Sequence, residues 1–232
     1  MEKRISGHTG LLALIGSPVG HSGSPAMYNY SFEKLGLDYR YLAFDIKEED
    51  TKKAIEALKM MNFRGCNITM PGKTVAASCC DELSTAAELT GAVNTIVNED
   101  GKLVGHITDG TGWIRNCLEH GFDIHGKKLV IAGCGGAGTA IQIAAALGGA
   151  KDVVILARKS SVRYANGEAT VQKIREHVPE CRAEIFDLED VGAVRRALAG
   201  ADLFCNATKV GMKPMDDQSV IPDVSMLRPE LV

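Results

Sequence analysis

Short unbroken apolar runs alternate with helically spaced apolar sets along most of the chain. Residues 11–15, LLALI, predict a buried strand. Over residues 24–35 the apolar positions Met27, Tyr28, Phe32 and Leu35 keep helical spacing and stop at Gly36. Residues 39–46 predict a second strand. Residues 48–61 predict an amphipathic helix with Ala54, Ile55, Leu58 and Met61 inward. Residues 64–69 predict a third strand. Pro71 then opens a short helix through Cys79, since its fixed φ suits a first helical turn. Residues 92–97 and 102–107 read as a hairpin turning at Glu99, Asp100 and Gly101.

The second half alternates strands and helices. A helix after Gly110 leads to Gly121 and Gly126. A strand over 129–132, a helix over 137–147 and a strand over 153–157 form one strand–helix–strand unit. The polar stretch SSVRYANGE follows, then a helix over 169–177, a strand over 183–187, a helix over 191–199 and a strand over 203–206. Such alternation predicts right-handed crossovers and a mostly parallel sheet. The chain therefore reads as α/β. An N-terminal three-layer α/β substrate domain occupies residues 1–111, and a Rossmann-like nucleotide-binding domain occupies residues 112–232.

Composition narrows the function classes. The 232 residues are 45% hydrophobic and 24% charged with a net charge of −3, an ordinary soluble globular balance. Aromatics are 5%, so few bases could be stacked, and no nucleic-acid partner is expected. No apolar run nears the roughly twenty residues of a membrane span. Basic residues precede the first apolar run, but that run is short and reads as a strand rather than a signal peptide. Seven cysteines without a CxxC spacing point to reduced cytoplasmic thiols. The six histidines have no ligand-like spacing, so no metal is expected.

Candidate chemistry begins at GCGGAG, between an apolar strand and a small-residue helix. This is the dinucleotide-binding fingerprint in the context it requires. Gly133 permits the tight turn, Gly135 lets the pyrophosphate approach, and Gly138 lets helix and strand pack closely. Gly136 and Ala137 lie at the start of the following helix, where backbone N–H groups meet the anion. The tip of the next strand carries Ala157, Arg158, Lys159, Ser160 and Ser161 instead of an acid. Arg158 offers a fork to a 2′-phosphate, with Lys159 and the serines assisting, so NADP, or both NADP and NAD, is favoured over strict NAD. The bland reading is a solvated basic turn. Asp152 should lie at the wrong end of that strand.

Four polar clusters fall in the first half, at strand ends or helix starts. They run His21-Ser22-Gly23-Ser24-Pro25, Asn67-Ile68-Thr69-Met70-Pro71-Gly72-Lys73, Gly91-Ala92-Val93-Asn94-Thr95 and Thr108-Asp109-Gly110-Thr111-Gly112. Hydroxyls and amides suit a polyhydroxylated substrate, because they both donate and accept. Lys73 and Asp109 are the natural acid–base pair. Taken singly, each is also an ordinary cap, turn or solvated residue, and Ser24 could simply cap the first helix.

Together the clusters resemble the shikimate dehydrogenase family, over essentially the whole chain. Ser22 and Ser24 match its paired serines, and Asn67, Thr69 and Lys73 match its Asn-x-Thr-x-Pro-x-Lys segment. Asn94 matches the asparagine of Gly-Ala-x-Asn-Thr, and Asp109 the aspartate of Thr-Asp-Gly. Asn206, Thr208, Val210, Gly211 and Met212 match the loop beside the nicotinamide. The stretch around Lys213-Pro214, with Arg228-Pro229-Glu230 behind it, looks closest to the quinate/shikimate branch.

The resemblance implies an NAD(P)-dependent oxidoreductase of aromatic amino acid and chorismate biosynthesis. It would interconvert shikimate and 3-dehydroshikimate, and also quinate and 3-dehydroquinate. Lys73 and Asp109 would be catalytic. Ser22, Ser24, Asn67, Thr69 and Asn94 would hold a small polyhydroxylated carboxylic acid. The protein would be a cytoplasmic monomer or homodimer. Ile107 stands where the family usually has asparagine, and Ala157-Arg158 where it has Asn-Arg. Family members continue beyond Leu231-Val232, so the nucleotide domain is expected to be incomplete and turnover weak or absent. Three alternatives stay open: a dehydrogenase of another small polyol or hydroxy acid, a tetrahydrofolate-linked dehydrogenase, and an inactive paralogue that binds nucleotide or substrate without turnover.

Overall fold

A computed structural model describes residues 5–232. Residues 1–4, which carry the basic positions weighed against a signal peptide, lie outside the described residues. The chain divides into two compact units between Ile107 and Thr108. The sequence placed the division at 111/112. The difference follows from a helix that begins at Asp109 and belongs with the second unit.

The first unit runs β1 (Gly10–Gly16), α1 (Ser24–Lys34), β2 (Tyr39–Asp45), α2 (Thr51–Met60), β3 (Gly65–Ile68), α3 (Lys73–Ala77), β4 (Glu82–Leu83), α4 (Thr85–Thr90), β5 (Thr95–Glu99) and β6 (Lys102–His106). Its sheet has the order β2-β1-β3-β5-β6-β4. β1 is parallel to both β2 and β3, whereas β5 runs antiparallel to β3 and β6. The β5–β6 hairpin turns at Asp100 (φ 51°) and Gly101 (φ 95°), the positive-φ pair that matches strand twist. Buried Asn98 fastens it. Its Oδ1 accepts the Gly101 N–H at 2.8 Å, and its Nδ2 donates to the Phe63 carbonyl at 2.8 Å.

Several expectations change here. In α1 only Phe32 is buried, packing with Leu14, Val19 and Tyr41. Met27 and Leu35 face outward at 56% and 71% exposure. In α2, Ile55 and Leu58 point inward, but Met61 lies past the helix end and is exposed. The helix expected from Pro71 begins only at Lys73, because Gly72 closes a turn onto the Thr69 carbonyl. Residues 92–94 are irregular backbone rather than strand, which begins at Thr95. β4 and α4 were not foreseen. The signals for α4 were Ser84, whose Oγ caps the Ala87 N–H, and Gly91 at φ 70°.

The second unit runs α5 (Asp109–Glu119), β7 (Lys128–Ala132), α6 (Gly136–Leu147), β8 (Asp152–Ala157), α7 (Tyr164–His177), β9 (Arg182–Asp187), α8 (Val191–Leu198) and β10 (Leu203–Asn206). The sheet order β10-β7-β8-β9 is parallel throughout. Strand alternation sorts its two faces. Leu129, Ile131, Val153 and Ile155 pack with Ile141, Val171 and Ile174, while Val130, Ala132, Val154 and Leu156 pack with Val194 and Leu198. α7 starts five residues before its expected position. Tyr164, Val171 and Ile174 share one core-facing stripe, and the polar residues between them hid it.

Candidate active site

In the first unit, backbone bonds gather the polar segments at the carboxyl ends of β1 and β3. Thr69 N–H donates to the Ile15 carbonyl at 2.9 Å, and Ser17 N–H to the Met70 carbonyl at 3.0 Å. Ile68 N–H donates to the Asn94 carbonyl at 2.8 Å, and Val93 N–H to the Lys73 carbonyl at 2.9 Å. Lys73, Asn67, Thr69 and Asn94 are thereby brought to one place. Lys73 opens α3 and is half-buried.

Side chains join the same cluster. Tyr41 Oη donates to Asn67 Oδ1 at 2.7 Å, Asn67 Nδ2 to Thr95 Oγ1 at 3.1 Å, and Thr95 Oγ1 to Asn94 Oδ1 at 3.0 Å. Tyr41 and Asn94 are buried. Ser22 Oγ accepts the Ser24 N–H at 3.2 Å. Ser24 is the first residue of α1, so it does not cap the helix; Gly23 holds the capping position without a side-chain bond. A turn with two hydroxyls at an uncapped helix start suits a carboxylate.

In the second unit, Asp109 is the first residue of α5. Gly110 behind it presses on α6. A Cβ at Gly110 would come within 2.2 Å of the Ala140 carbonyl oxygen, so only glycine permits this crossing.

The glycine turn joins β7 to α6. Gly133 has φ +110°, and a Cβ at Gly138 would sit 2.2 Å from the Gly133 carbonyl oxygen. Space opens on the outer side. A Cβ at Gly136 would meet nothing within 4 Å, and one at Gly135 only Arg163 Nη1 at 3.7 Å. α6 has no side-chain cap. An open loop with a guanidinium beside it, at the start of a helix, fits a dinucleotide pyrophosphate. Gly135, Gly136, Ala137 and Arg163 would hold it.

The neighbouring loops complete this end of the sheet. Asn206 Oδ1 accepts both the Thr208 N–H and Oγ1–H, and Asn206 Nδ2 donates to the Val210 carbonyl at 2.9 Å. Asn206 and Thr208 thus shape the 206–212 loop from within. The Ala207 carbonyl lies against Gly133, and Met212 is exposed at 63%. Gly211, at φ +90°, turns the loop and donates its N–H to Met215.

Arg158 and Lys159 are exposed just past β8. Asp152 opens β8 at the opposite end and pairs with Arg182 at 2.6 Å. The structure adds acids that the local sequence lacks. Asp187, at the end of β9, accepts the Lys159 and Glu189 N–H groups at 3.1 and 3.0 Å, and these bonds hold its carboxyl below the usual range. Glu189 accepts from Ser160 Oγ at 3.1 Å, so that serine already has a partner.

Sequence reasoning missed Tyr41, which reads as a core aromatic, and Arg163, which lies within the polar stretch. It also missed Gln142. This side chain is fully buried, and its Nε2 donates to the Gly133 carbonyl at 2.9 Å. Only its place in an otherwise apolar helix face could have marked it. Among the described residues, no group of three His, Cys, Asp or Glu is placed to hold a metal, and no helix is long and apolar enough to cross a membrane.

Residues 14–96 match the shikimate dehydrogenase substrate binding domain. The chain is 51% identical to a shikimate dehydrogenase (NADP(+)) of Listeria monocytogenes, covering 100% of this chain and 79% of that protein. A crystal structure of a Listeria monocytogenes shikimate 5-dehydrogenase in complex with shikimate and NAD matches with a TM-score of 0.95, at 51% identity, over 100% of this chain and 79% of that one. A Corynebacterium glutamicum quinate dehydrogenase in complex with NAD matches with a TM-score of 0.82, at 28% identity, over 96% and 78% of the two chains.

Proposed function

The chain belongs to the shikimate dehydrogenase family, and we propose that it interconverts shikimate and 3-dehydroshikimate with NADP or NAD. The observation that carries this reading is the convergence of Asn67, Thr69, Lys73 and Asn94 at the ends of β1 and β3. Those residues supply an ammonium, a hydroxyl and two amides to one site, the set a polyhydroxylated acid needs. Ser22 and Ser24 bind its carboxylate at the start of α1.

The cofactor, when bound, supplies the acceptor for hydride from the carbon bearing the 3-hydroxyl. Gly135, Gly136 and Ala137 would bind its pyrophosphate through backbone N–H groups. Arg158 and Lys159 would meet the adenosine end, and the 206–212 loop the nicotinamide end. Lys73 takes the proton from the 3-hydroxyl oxygen as the carbonyl forms and returns it in reduction, with Asp109 sharing that acid–base role. Oxidation yields 3-dehydroshikimate, reduced cofactor and one proton.

The likeness to a quinate dehydrogenase supports quinate as a second substrate. The seven thiols suit a reducing cytoplasm. Purified protein is assayed with shikimate or quinate and NADP+ or NAD+. The expected result is 3-dehydroshikimate from shikimate, and 3-dehydroquinate from quinate, with reduced cofactor in equal amounts. No turnover in any of the four combinations would overturn the assignment.

A further inference from the structure

We propose that Gln142 is a positioning residue for the cofactor: from inside α6 it holds the Gly133 carbonyl in place and so keeps the glycine turn in the form that takes an anion. The inference rests on the cofactor site assigned above and adds a residue to it. Gln142 is fully buried, and so are its helix neighbours Ile141, Ile143, Ala145 and Ala146. An amide buried among apolar side chains is costly unless both its ends find partners. Here one end does. Nε2 donates to the Gly133 carbonyl at 2.9 Å, while Oε1 is buried with no hydrogen-bond partner among the described residues. The reversed amide would set oxygen against oxygen, which fixes the donating end at Gly133. Leucine or methionine would fill the same space without an orphaned oxygen. The bond to Gly133 is what the glutamine adds.

That carbonyl needs holding. Gly133 has φ +110°, and without a Cβ the peptide that follows it could turn either way. The peptide before it is fixed by strands and loop: the Ala132 carbonyl accepts the Ala207 N–H at 2.9 Å, and the Gly133 N–H donates to the Leu156 carbonyl at 2.8 Å. The peptide after it is fixed by α6. Gly138 and Gln142 stand four residues apart, on one face of that helix. Gly138 leaves the room, since a Cβ there would lie 2.2 Å from the Gly133 oxygen, and Gln142 supplies the donor.

The peptide from Gly133 to Cys134 is trans, so its two polar groups point in opposite directions. With the oxygen drawn to α6, the Cys134 N–H points away from α6. A flipped peptide would exchange that N–H for an oxygen in the turn that the pyrophosphate approaches. Anions are held by successive N–H groups and repelled by carbonyl oxygens. Gln142 acts against that flip, without itself touching the cofactor.

The test uses the full chain and two probes: ADP, which carries a pyrophosphate, and adenosine 2′-phosphate, which does not. Gln142→Met and Gln142→Leu keep the core filled and remove the donor. In calorimetric titrations each should weaken ADP, NADP+ and NAD+ about five- to tenfold and leave adenosine 2′-phosphate within about twofold. A general loosening of the unit would weaken both probes alike. By linkage, a bound pyrophosphate favours the Gln142 bond by the factor by which that bond favours the pyrophosphate. In the parent, ADP should therefore slow hydrogen exchange of the Gln142 side-chain amide, read by NMR, about five- to tenfold, and adenosine 2′-phosphate should not. Should neither variant fold, this measurement decides. Unchanged ADP affinity in a folded variant, equal losses for the two probes, or an exchange rate that ADP leaves unmoved would overturn the inference. A parent that binds neither NADP+ nor ADP would overturn the assigned cofactor site, and the inference with it.

Discussion

At the residue scale, proton handling separates from binding. In the proposed mechanism Lys73 and Asp109 act as the proton moves, so their loss should fall on turnover. Lys73→Ala and Asp109→Asn are each expected to lower kcat about 10²-fold or more, with a smaller change in shikimate KM. Near-normal kcat in either variant removes that residue from its role. The adenosine end is more balanced than its local sequence suggests. Arg158 offers a phosphate fork, but Asp187 and Glu189 bring carboxylates from β9 to the same turn. Arg158→Ala should therefore weaken NADP+ about tenfold to a hundredfold while sparing NAD+. Glu189→Gln should strengthen NADP+ relative to NAD+. Fluorescence titration of both cofactors checks the pair, and equal changes for the two cofactors contradict it.

At the scale of elements, the glycine turn has a crowded side and an open side. Gly138→Ala would drive a Cβ into the Gly133 backbone, so a stability loss of about 1–3 kcal/mol is expected. Gly136→Ala meets open space, so it should keep or raise Tm and still weaken the cofactor, whose pyrophosphate the proposed site would seat there. Calorimetric unfolding and cofactor titration on both variants read the contrast, and matching behaviour would deny it. The glycine turn and its parallel strands were legible because fully buried strands are continuous apolar runs and the turn needs glycine at fixed offsets. The paired serines, Asn67, Lys73 and Asn94 were legible as local clusters. Tyr41, Gln142 and Glu189 were not, because their roles depend on partners 26, 9 and 29 residues away. The early start of α7 was hidden for a related reason: its stripe is narrow and its intervening residues are polar. The outward faces of Met27 and Leu35 show the reverse error, in which helical spacing was present without a core to meet it.

At the scale of the whole molecule, the assigned substrate groups Ser22, Asn67, Lys73 and Asn94 lie in one compact unit, and the glycine turn, Arg158 and the 206–212 loop lie in the other. Binding effects should divide accordingly. Asn94→Ala should raise the shikimate KM and leave the cofactor dissociation constant unchanged; Arg158→Ala should do the reverse for NADP+. Calorimetric titration of each ligand alone tests the division, and a variant that weakens both ligands equally would count against it. The central claim is a hydride transfer from one carbon of one substrate, and isotope transfer reads it most directly. Shikimate carrying deuterium at the carbon that bears the 3-hydroxyl is incubated with the protein and NADP+, and the reduced cofactor is examined by mass spectrometry. The account predicts one deuterium per reduced nicotinamide and an unlabelled 3-dehydroshikimate product. Reduced cofactor without deuterium, or no reduced cofactor at all, would contradict it.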